Sequence, residues 1–328
     1  MVLIGEGSKE AGDHIEELTL RYVTNGHPPV HRMSAGSAEL AKLSLNLFIT
    51  LKISFANFVG DLADSAEAAR KRSAPSDVVR DDKRKRIDKM HIARAIGADS
   101  RVGLKCLLPG YGFGGPCFPR DGRALASFAQ QVSSFACPLE PEIAEAPSKA
   151  NAGHARFQAQ RLIAEADAAL RRRDLRGATA TKSVTIVFDD VTFKPRCAVP
   201  IVLESQKLVV AKLVRSLSDH RVVIRSDRAD VLDAVRRDFG TLFTYWNGEE
   251  GGGELVEPEG DGTAYIFADD VLLPEEEGGQ KVRVPNNTKL HAVASSGDLP
   301  DASTVHHGAI TESEKRGEEY TSLRTAFN

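Results

Sequence analysis

Twelve residues, Gly110 to Asp121 (GYGFGGPCFPRD), bring together four glycines, two prolines, a cysteine and a charge pair. Cys117 stands just ahead of a segment whose Pro119 suits the first turn of a helix. The partial positive charge at a helix N-terminus favours the nucleophilic thiolate over the thiol. Lys42 and Asn46 lie four residues apart in a helical segment, so both side chains point at one place. An ammonium and an amide converging there suit an oxyanion formed when a thiolate attacks a carbonyl. Two other readings compete. A dinucleotide loop should follow an apolar strand, which is lacking, and Pro116 and Pro119 interrupt the helix that should cradle pyrophosphate. Alternatively the glycines serve only a turn, and Cys117 is a packed structural thiol. The residues by themselves do not choose between the reactive and the packed cysteine.

The element that must position Lys42 and Asn46 is a long helix. Residues 37–70 contain no proline, and Ser37 with Glu39 makes a helix start. Leu40, Leu43, Leu47, Leu51, Phe55, Phe58 and Leu62 recur at helical spacing, while Leu45, Phe48, Ile49 and Val59 cover much of the rest. A helix apolar nearly all round is expected to be buried on several sides, partly in a subunit interface. A thin polar row, Lys42, Asn46, Thr50 and Asn57, runs along it.

Around this helix the periodicity predicts a strand at 2–4 and a helix at 13–22, a polar stretch over 69–90, and a short helix ending near Gly97. Helices from Pro119 to Gln131 and over 155–172 follow, then a linker at 174–182. Strands at 183–188, 221–225 and 264–268 alternate with helices at 204–217 and 229–238, the pattern of a small parallel α/β domain. Residues 248–262 read as an acidic loop, and the sequence after about Val284 as loop or disorder.

Composition narrows the function classes. The 328 residues suffice for about two domains, with 41% apolar and 27% charged residues and a formal net charge of −3. Nothing in that balance points to a nucleic-acid or membrane partner, and basic runs such as Lys83–Arg86 and Arg171–Arg173 read as solvated helix faces. No uninterrupted apolar run reaches the roughly 18 residues of a membrane span, no signal region opens the chain, and the cytoplasm is the expected location. The four cysteines form no C-x-x-C, so neither a disulfide framework nor a metal site is expected, and Cys106, Cys137 and Cys197 read as packed or incidental. His27 and His31 lie in HPPVH, whose prolines prevent a helical metal pair, so a loop is expected there; His306–His307 falls in the aperiodic tail. Gly5 and Gly7 fit two positions of G-x-G-x-x-G, but the third falls on Glu10.

The segments SAELAKLSLN (37–46), KISFAN (52–57), DSRVG (99–103) and GFGGPCFPRD (112–121) resemble the UDP-glucose/GDP-mannose dehydrogenase family, and VTFKP (191–195) resembles the start of its sugar-nucleotide-binding domain. The resemblance implies NAD-dependent oxidation of a sugar-nucleotide primary alcohol to a carboxylate in two steps. It implies that Cys117 forms a thiohemiacetal and then a thioester, that Lys42 and Asn46 steady the oxyanion, and that Asp121 positions or activates water. It further implies substrate contacts from Arg101, which reaches a neighbouring subunit's ligand, and from Lys105, Gly112, Phe113, Gly114, Gly115, Phe193 and Lys194. The long helix, 37–70, matches a dimerisation helix, and the partner ligand is a UDP- or GDP-sugar. The implied architecture is α/β throughout: a Rossmann remnant at 1–34, a helical central domain at 35–175, a sugar-nucleotide-binding-like α/β domain at 176–283 and a tail at 284–328.

The sequence also departs from that family. A family member should open with a Rossmann domain of roughly 150 residues, whereas this sequence begins at what resembles that domain's last strand and helix. Leu203 stands where the family has a cofactor-facing arginine. No cofactor is therefore expected on this chain alone, with NAD entering only through a separate chain that carries the missing domain. The expectation is a truncated nucleotide-sugar dehydrogenase-like protein that keeps its cysteine site. The alternatives are a non-redox cysteine hydrolase or acyl transferase, and a silent sugar-nucleotide-binding scaffold.

Overall fold

The computed structural model describes residues 1–23, 26, 28–73, 86–134, 137–174, 184–247 and 265–273. The acidic loop at 248–262, the linker beyond Asp174, the tail, His27 and His306–His307 lie outside the described residues. The chain divides into two compact units, one formed by 1–51 and 117–148, the other by 52–116 and 149–328. The division runs through two long helices.

In the first unit, β1 (Val2–Glu6), α1 (Lys9–Tyr22) and β2 (Val30–Ser34) form a β-α-β unit with β1 and β2 parallel. Ser8 caps α1 by accepting the Ala11 amide. Arg32 on β2 donates to Glu6, Asp13, Glu16 and the Lys9 carbonyl, tying both strands to the helix. The second strand corrects the expectation of a loop around His31, which lies on β2 opposite Leu3. Pro28 and Pro29 masked it, yet Pro29 precedes the strand and needs no ladder amide.

The helix α2 (Ala35–Ser73) follows directly. Ser34, not Ser37, supplies the cap, since its Oγ accepts the Ser37 amide. Burial is one-sided: Leu47, Ile53, Ala56 and Ala63 are buried, whereas Leu40, Phe48, Phe55, Phe58 and Leu62 are exposed on a single face. The helix has the length and hydropathy of a membrane span, counted across interspersed polar residues rather than one uninterrupted run. Its polar row is buried in the protein all the same: Asn46, Thr50, Ser54 and Asn57 are each at most 9% exposed. Helix α4 (Phe118–Val132) packs Leu125 and Ala126 against Leu47, Leu51 and Ala144.

The second unit holds α3 (Lys89–Gly97), the greater part of α5 (Glu142–Asp174) and a four-stranded sheet. Helix α5 starts thirteen residues earlier than its periodicity suggests, because Pro147 lies inside it and reads as a breaker. The sheet comprises β3 (Thr185–Asp189), β4 (Arg221–Arg225), β5 (Thr244–Trp246) and β6 (Tyr265–Phe267), all parallel in the order β5-β4-β3-β6. Helices α6 (Gln206–Leu217), α7 (Ala229–Phe239) and α8 (Ala268–Leu272) complete it. Val184, Ile186, Phe188, Leu208, Val210, Val222 and Ile224 are almost wholly buried, as parallel strands between helices require. The expected mixture of a long-helix region and a small parallel α/β domain is what the chain adopts.

Candidate active site

In the first unit, Cys117 is the N-cap residue of α4 and is exposed, with no side-chain cap bond. Four residues on, Asp121 donates its amide to the Cys117 carbonyl at 2.8 Å, so the cysteine opens the helix in which Asp121 forms the first turn. The Asp121 side chain is buried at 3% exposure. Its Oδ2 accepts Asn46 Nδ2 at 2.6 Å and Lys42 Nζ at 3.4 Å, while Oδ1 accepts Nε and Nη2 of Arg120 at 2.9 and 2.8 Å. Burial pushes this carboxyl upward, but Arg120, Asn46 and Lys42 together outweigh it and hold it below the usual carboxylate range. Arg120 is raised in turn, first by its bond to Asp121, with a smaller contribution from Cys117. The helical spacing of Lys42 and Asn46 thus does bring them to one point, and that point is the buried acid of α4. Arg120 enters this cluster as the ion partner of Asp121.

In the second unit, the stretch Gly110–Gly115 is wholly buried and irregular, so its backbone groups need partners from side chains. Asn57 on α2 accepts the Gly110 amide and donates to the Tyr111 carbonyl. Asn151 on α5 accepts the Phe113 amide at 3.1 Å and donates to the Phe113 carbonyl at 2.8 Å. His154 and Gln158, on the same face of α5, both lie at the Gly110 carbonyl. Sequence reasoning singled out Asn57 but missed Asn151, His154 and Gln158. Their signal was polar residues at i, i+3 and i+7 among alanines and leucine, a stripe hidden by the late expected start of α5.

The glycines are also required by the protein itself. A Cβ on Gly112 would lie 1.9 Å from Asn151 Oδ1, one on Gly114 2.1 Å from the Glu204 carbonyl, and one on Gly115 2.3 Å from the Phe193 ring. Gly115 moreover has φ of +80°, the region where glycine alone is unstrained. Phe193 and the glycine loop therefore meet, and Lys194 Nζ lies 5.5 Å above the Phe193 ring centre, exposed. Arg101 and Lys105 are exposed; Arg101 is clamped to Asp99 through its amide and guanidinium. Leu203 is exposed and its carbonyl accepts the Gly115 amide.

A parallel sheet of this order offers ligands a crevice at the carboxyl ends of β3 and β6. Here that position is occupied by paired side chains. Asp189 holds Arg225, and Asp269 accepts Lys207 and the Tyr111 hydroxyl. Burial, with Asp269 and Asp189 nearby, pushes Asp270 up to about 6. Such acidity disfavours a phosphate and directs attention to the glycine loop, which Tyr111 ties to this end of the sheet.

A cysteine at a helix N-terminus ahead of a buried acid, a buried glycine loop, long helices and a parallel sheet are the features that the sequence's resemblance to the UDP-glucose/GDP-mannose dehydrogenase family implies. Comparison with known proteins agrees. Residues 82–151 match the model of the UDP-glucose/GDP-mannose dehydrogenase family, central domain. UDP-glucose 6-dehydrogenase TuaD of Bacillus subtilis is 34% identical over 130 residues, 40% of this chain and 23% of that protein. UDP-glucose 6-dehydrogenase AglM of Haloferax volcanii is 29% identical over 195 residues, 59% of this chain and 37% of that protein. The structure of a UDP-glucose dehydrogenase from Pyrobaculum islandicum superposes with a TM-score of 0.54 at 27% identity, covering 74% of this chain and 46% of that one. Over these residues the chain is similar to the UDP-glucose/GDP-mannose dehydrogenase family, and it spans well under half the length of these curated relatives.

The β-α-β unit does not fit a dinucleotide. Glu10 takes the third glycine's place in the first turn of α1, and Ser8 already caps that turn. Glu6 at the end of β1 is already bound to Arg32. Pyrophosphate has no cradle there.

Proposed function

We propose that this chain binds a sugar nucleotide and uses Cys117 as a nucleophile toward the sugar's C6 carbonyl carbon. The observation that carries the reading is the buried Asp121 of α4, held ionised by Arg120, Asn46 and Lys42 one helical turn beyond Cys117. Attack of Sγ on an aldehyde forms the S–C bond, and the carbonyl electron pair moves onto oxygen. That oxygen takes a proton to give a thiohemiacetal, and the step balances without an oxidant. Lys42 and Asn46 are the donors for the developing oxyanion, and Asp121 holds both in register from below. Going on to a thioester removes a hydride, which a nicotinamide acceptor would have to take up. Hydrolysis of that thioester would draw on Asp121 to orient water.

The ligand contacts in this reading are the glycine loop (Gly112–Gly115), Phe193 and Lys194, with Arg101 and Lys105 offered from the exposed turn after α3. Lys194 brings a positive charge next to an aromatic ring, suited to a diphosphate beside a base or sugar face. The exposed face of α2 formed by Leu40, Phe48, Phe55, Phe58 and Leu62 is assigned to a homodimer, because an apolar stripe of that length is not left to water. The expected location is the cytoplasm.

The test is alkylation of Cys117 by iodoacetamide at pH 7.5, followed by mass spectrometry, with and without UDP-glucose and GDP-mannose. The reading expects Cys117 to react faster than the exposed Cys137, and one of the two ligands to protect it. Equal rates for the two thiols and no protection by either ligand would refute it. Protection without covalent capture of a UDP-6-aldehyde analogue would favour the silent scaffold.

A further inference from the structure

Hydrolysis of a thioester on Cys117 needs a water held by Asp121, yet the hydrogen-bonding capacity of that acid is already taken. A carboxylate offers about four lone-pair sites. Oδ2 accepts Asn46 Nδ2 at 2.6 Å and Lys42 Nζ at 3.4 Å, and Oδ1 accepts both Nε and Nη2 of Arg120, at 2.9 and 2.8 Å. These bonds fill the four sites, and the side chain is buried. A water arriving there finds no lone pair to donate to. The carboxylate is also a weak base. Burial raises its pKa, but Arg120 leads the influences that bring it below the ordinary range.

The three donors differ in what they can give up. Asn46 is buried and has no water to turn to. Lys42, together with Asn46, serves the oxyanion, so both are needed while an acyl group sits on Cys117. Arg120 has neither constraint. Its side chain is 66% exposed, so the guanidinium that covers Oδ1 has solvent on its other side. Nε and Nη2 belong to one planar group, and one side-chain rotation withdraws both from the same oxygen. Arg120 also lies three residues beyond Cys117, at the opening turn of α4.

We propose that Arg120 is a positioning residue that covers Asp121 and limits the rate at which water attacks an acyl group on Cys117. The proposal rests on the reading of Cys117 as the nucleophile that carries a thioester. While Arg120 chelates Oδ1, Asp121 is a fixed anion that keeps Lys42 and Asn46 in register. When the guanidinium turns out to solvent, Oδ1 is free to accept a hydrogen bond from water. The water oxygen bonds to the thioester carbon, and the C–S bond breaks with its electron pair on sulfur. One water proton passes to that sulfur, the other leaves with the carboxylic acid, and the step balances without an oxidant. A lysine would be a weaker cover, since an ammonium is a point donor without the two-pronged fork.

The experiment acetylates the full chain with p-nitrophenyl acetate, removes the excess, and follows loss of the acetyl group from Cys117 at pH 7.5 by peptide mass spectrometry. Loss from the exposed Cys137 serves as the internal reference. Relative to it, Arg120→Ala should lose the group from Cys117 about fivefold faster than wild type, the scale of releasing one exposed ion pair. Arg120→Lys should fall between the two. Adding Asp121→Asn to Arg120→Ala should remove the acceleration, which a mere loosening of the helix would not do. Equal or slower loss in Arg120→Ala would overturn the proposal, as would an acceleration that survives Asp121→Asn. If wild type takes no acetyl group on Cys117, the nucleophile reading has failed separately. The cover is then decided by carboxyl labelling with a carbodiimide and glycinamide. Asp121 should be protected in wild type and labelled in Arg120→Ala, and equal labelling would overturn it.

Discussion

Replacing Asp121 by alanine removes one carboxylate from four hydrogen bonds, and their contributions are unequal. Lys42 and Arg120 have side chains 54% and 66% exposed and simply return to water. Ion pairs of that kind contribute about 0–1 kcal/mol each. Asn46 is different, because it is buried and cannot find water once its acceptor is gone. A hydrogen bond to a charged group contributes roughly 1.5–3 kcal/mol. Asp121→Ala should therefore cost about 2–4 kcal/mol, most of it through Asn46. A double-mutant cycle isolates that share. Asn46→Ala, Asp121→Ala and the double variant, unfolded in urea at pH 7 and followed by circular dichroism, should give a coupling energy of about 1–2 kcal/mol. The corresponding Lys42–Asp121 coupling should stay below about 0.5 kcal/mol. Strict additivity of the Asn46 and Asp121 variants, or an Asp121→Ala within about 0.5 kcal/mol of wild type, would refute the reasoning.

Four further outcomes are expected. Asp121 is held below the carboxylate range, and Glu67 is held at about 2, first by its bonds to Arg70 and then against its burial. The stability both contribute is complete above their unfolded values of about 4 and is lost as pH falls through the folded ones, so urea midpoints should drop between pH 4.5 and 2, less steeply in Glu67→Gln. Asp270, raised to about 6 by burial, has the opposite sign: Asp270→Asn should raise the midpoint at pH 8 and leave it unchanged near pH 3. Gly115→Ala must fit a methyl against the Phe193 ring at positive φ, and should cost about 2–4 kcal/mol in urea unfolding, whereas a change under about 0.5 would show that the loop yields. Phe58→Glu on the exposed face of α2 should convert a dimer to a folded monomer by light scattering with little change in helix content, and an unchanged mass would remove this face as the interface.

Much of this protein is local and therefore legible along the chain. The strand over 221–225 coincides with β4, because Val222, Val223 and Ile224 form an apolar run of strand length between a serine-aspartate turn and another. The pairing of Lys42 with Asn46 follows from helical spacing alone, and Pro119 announced α4. The short strands β2 and β5 were not legible. Three to five residues beside prolines or glycines carry too little periodicity, and they become strands only because a parallel neighbour accepts their backbone. Nor could Pro147 declare that α5 runs straight through it.

The sequence by itself determined which residues have the chemistry: a cysteine ahead of a helix, an acid four residues later, and a lysine and an amide one turn apart. Tertiary structure alone decided what they face. It turned Lys42 and Asn46 toward Asp121, filled the space beside Gly112, Gly114 and Gly115 with Asn151, Glu204 and Phe193, and set His154 between Asp61 and Gly110. The physical reason is that spacing along one helix fixes direction, whereas a partner 38 to 93 residues away is chosen by packing, and by the demand of a buried loop for hydrogen bonds.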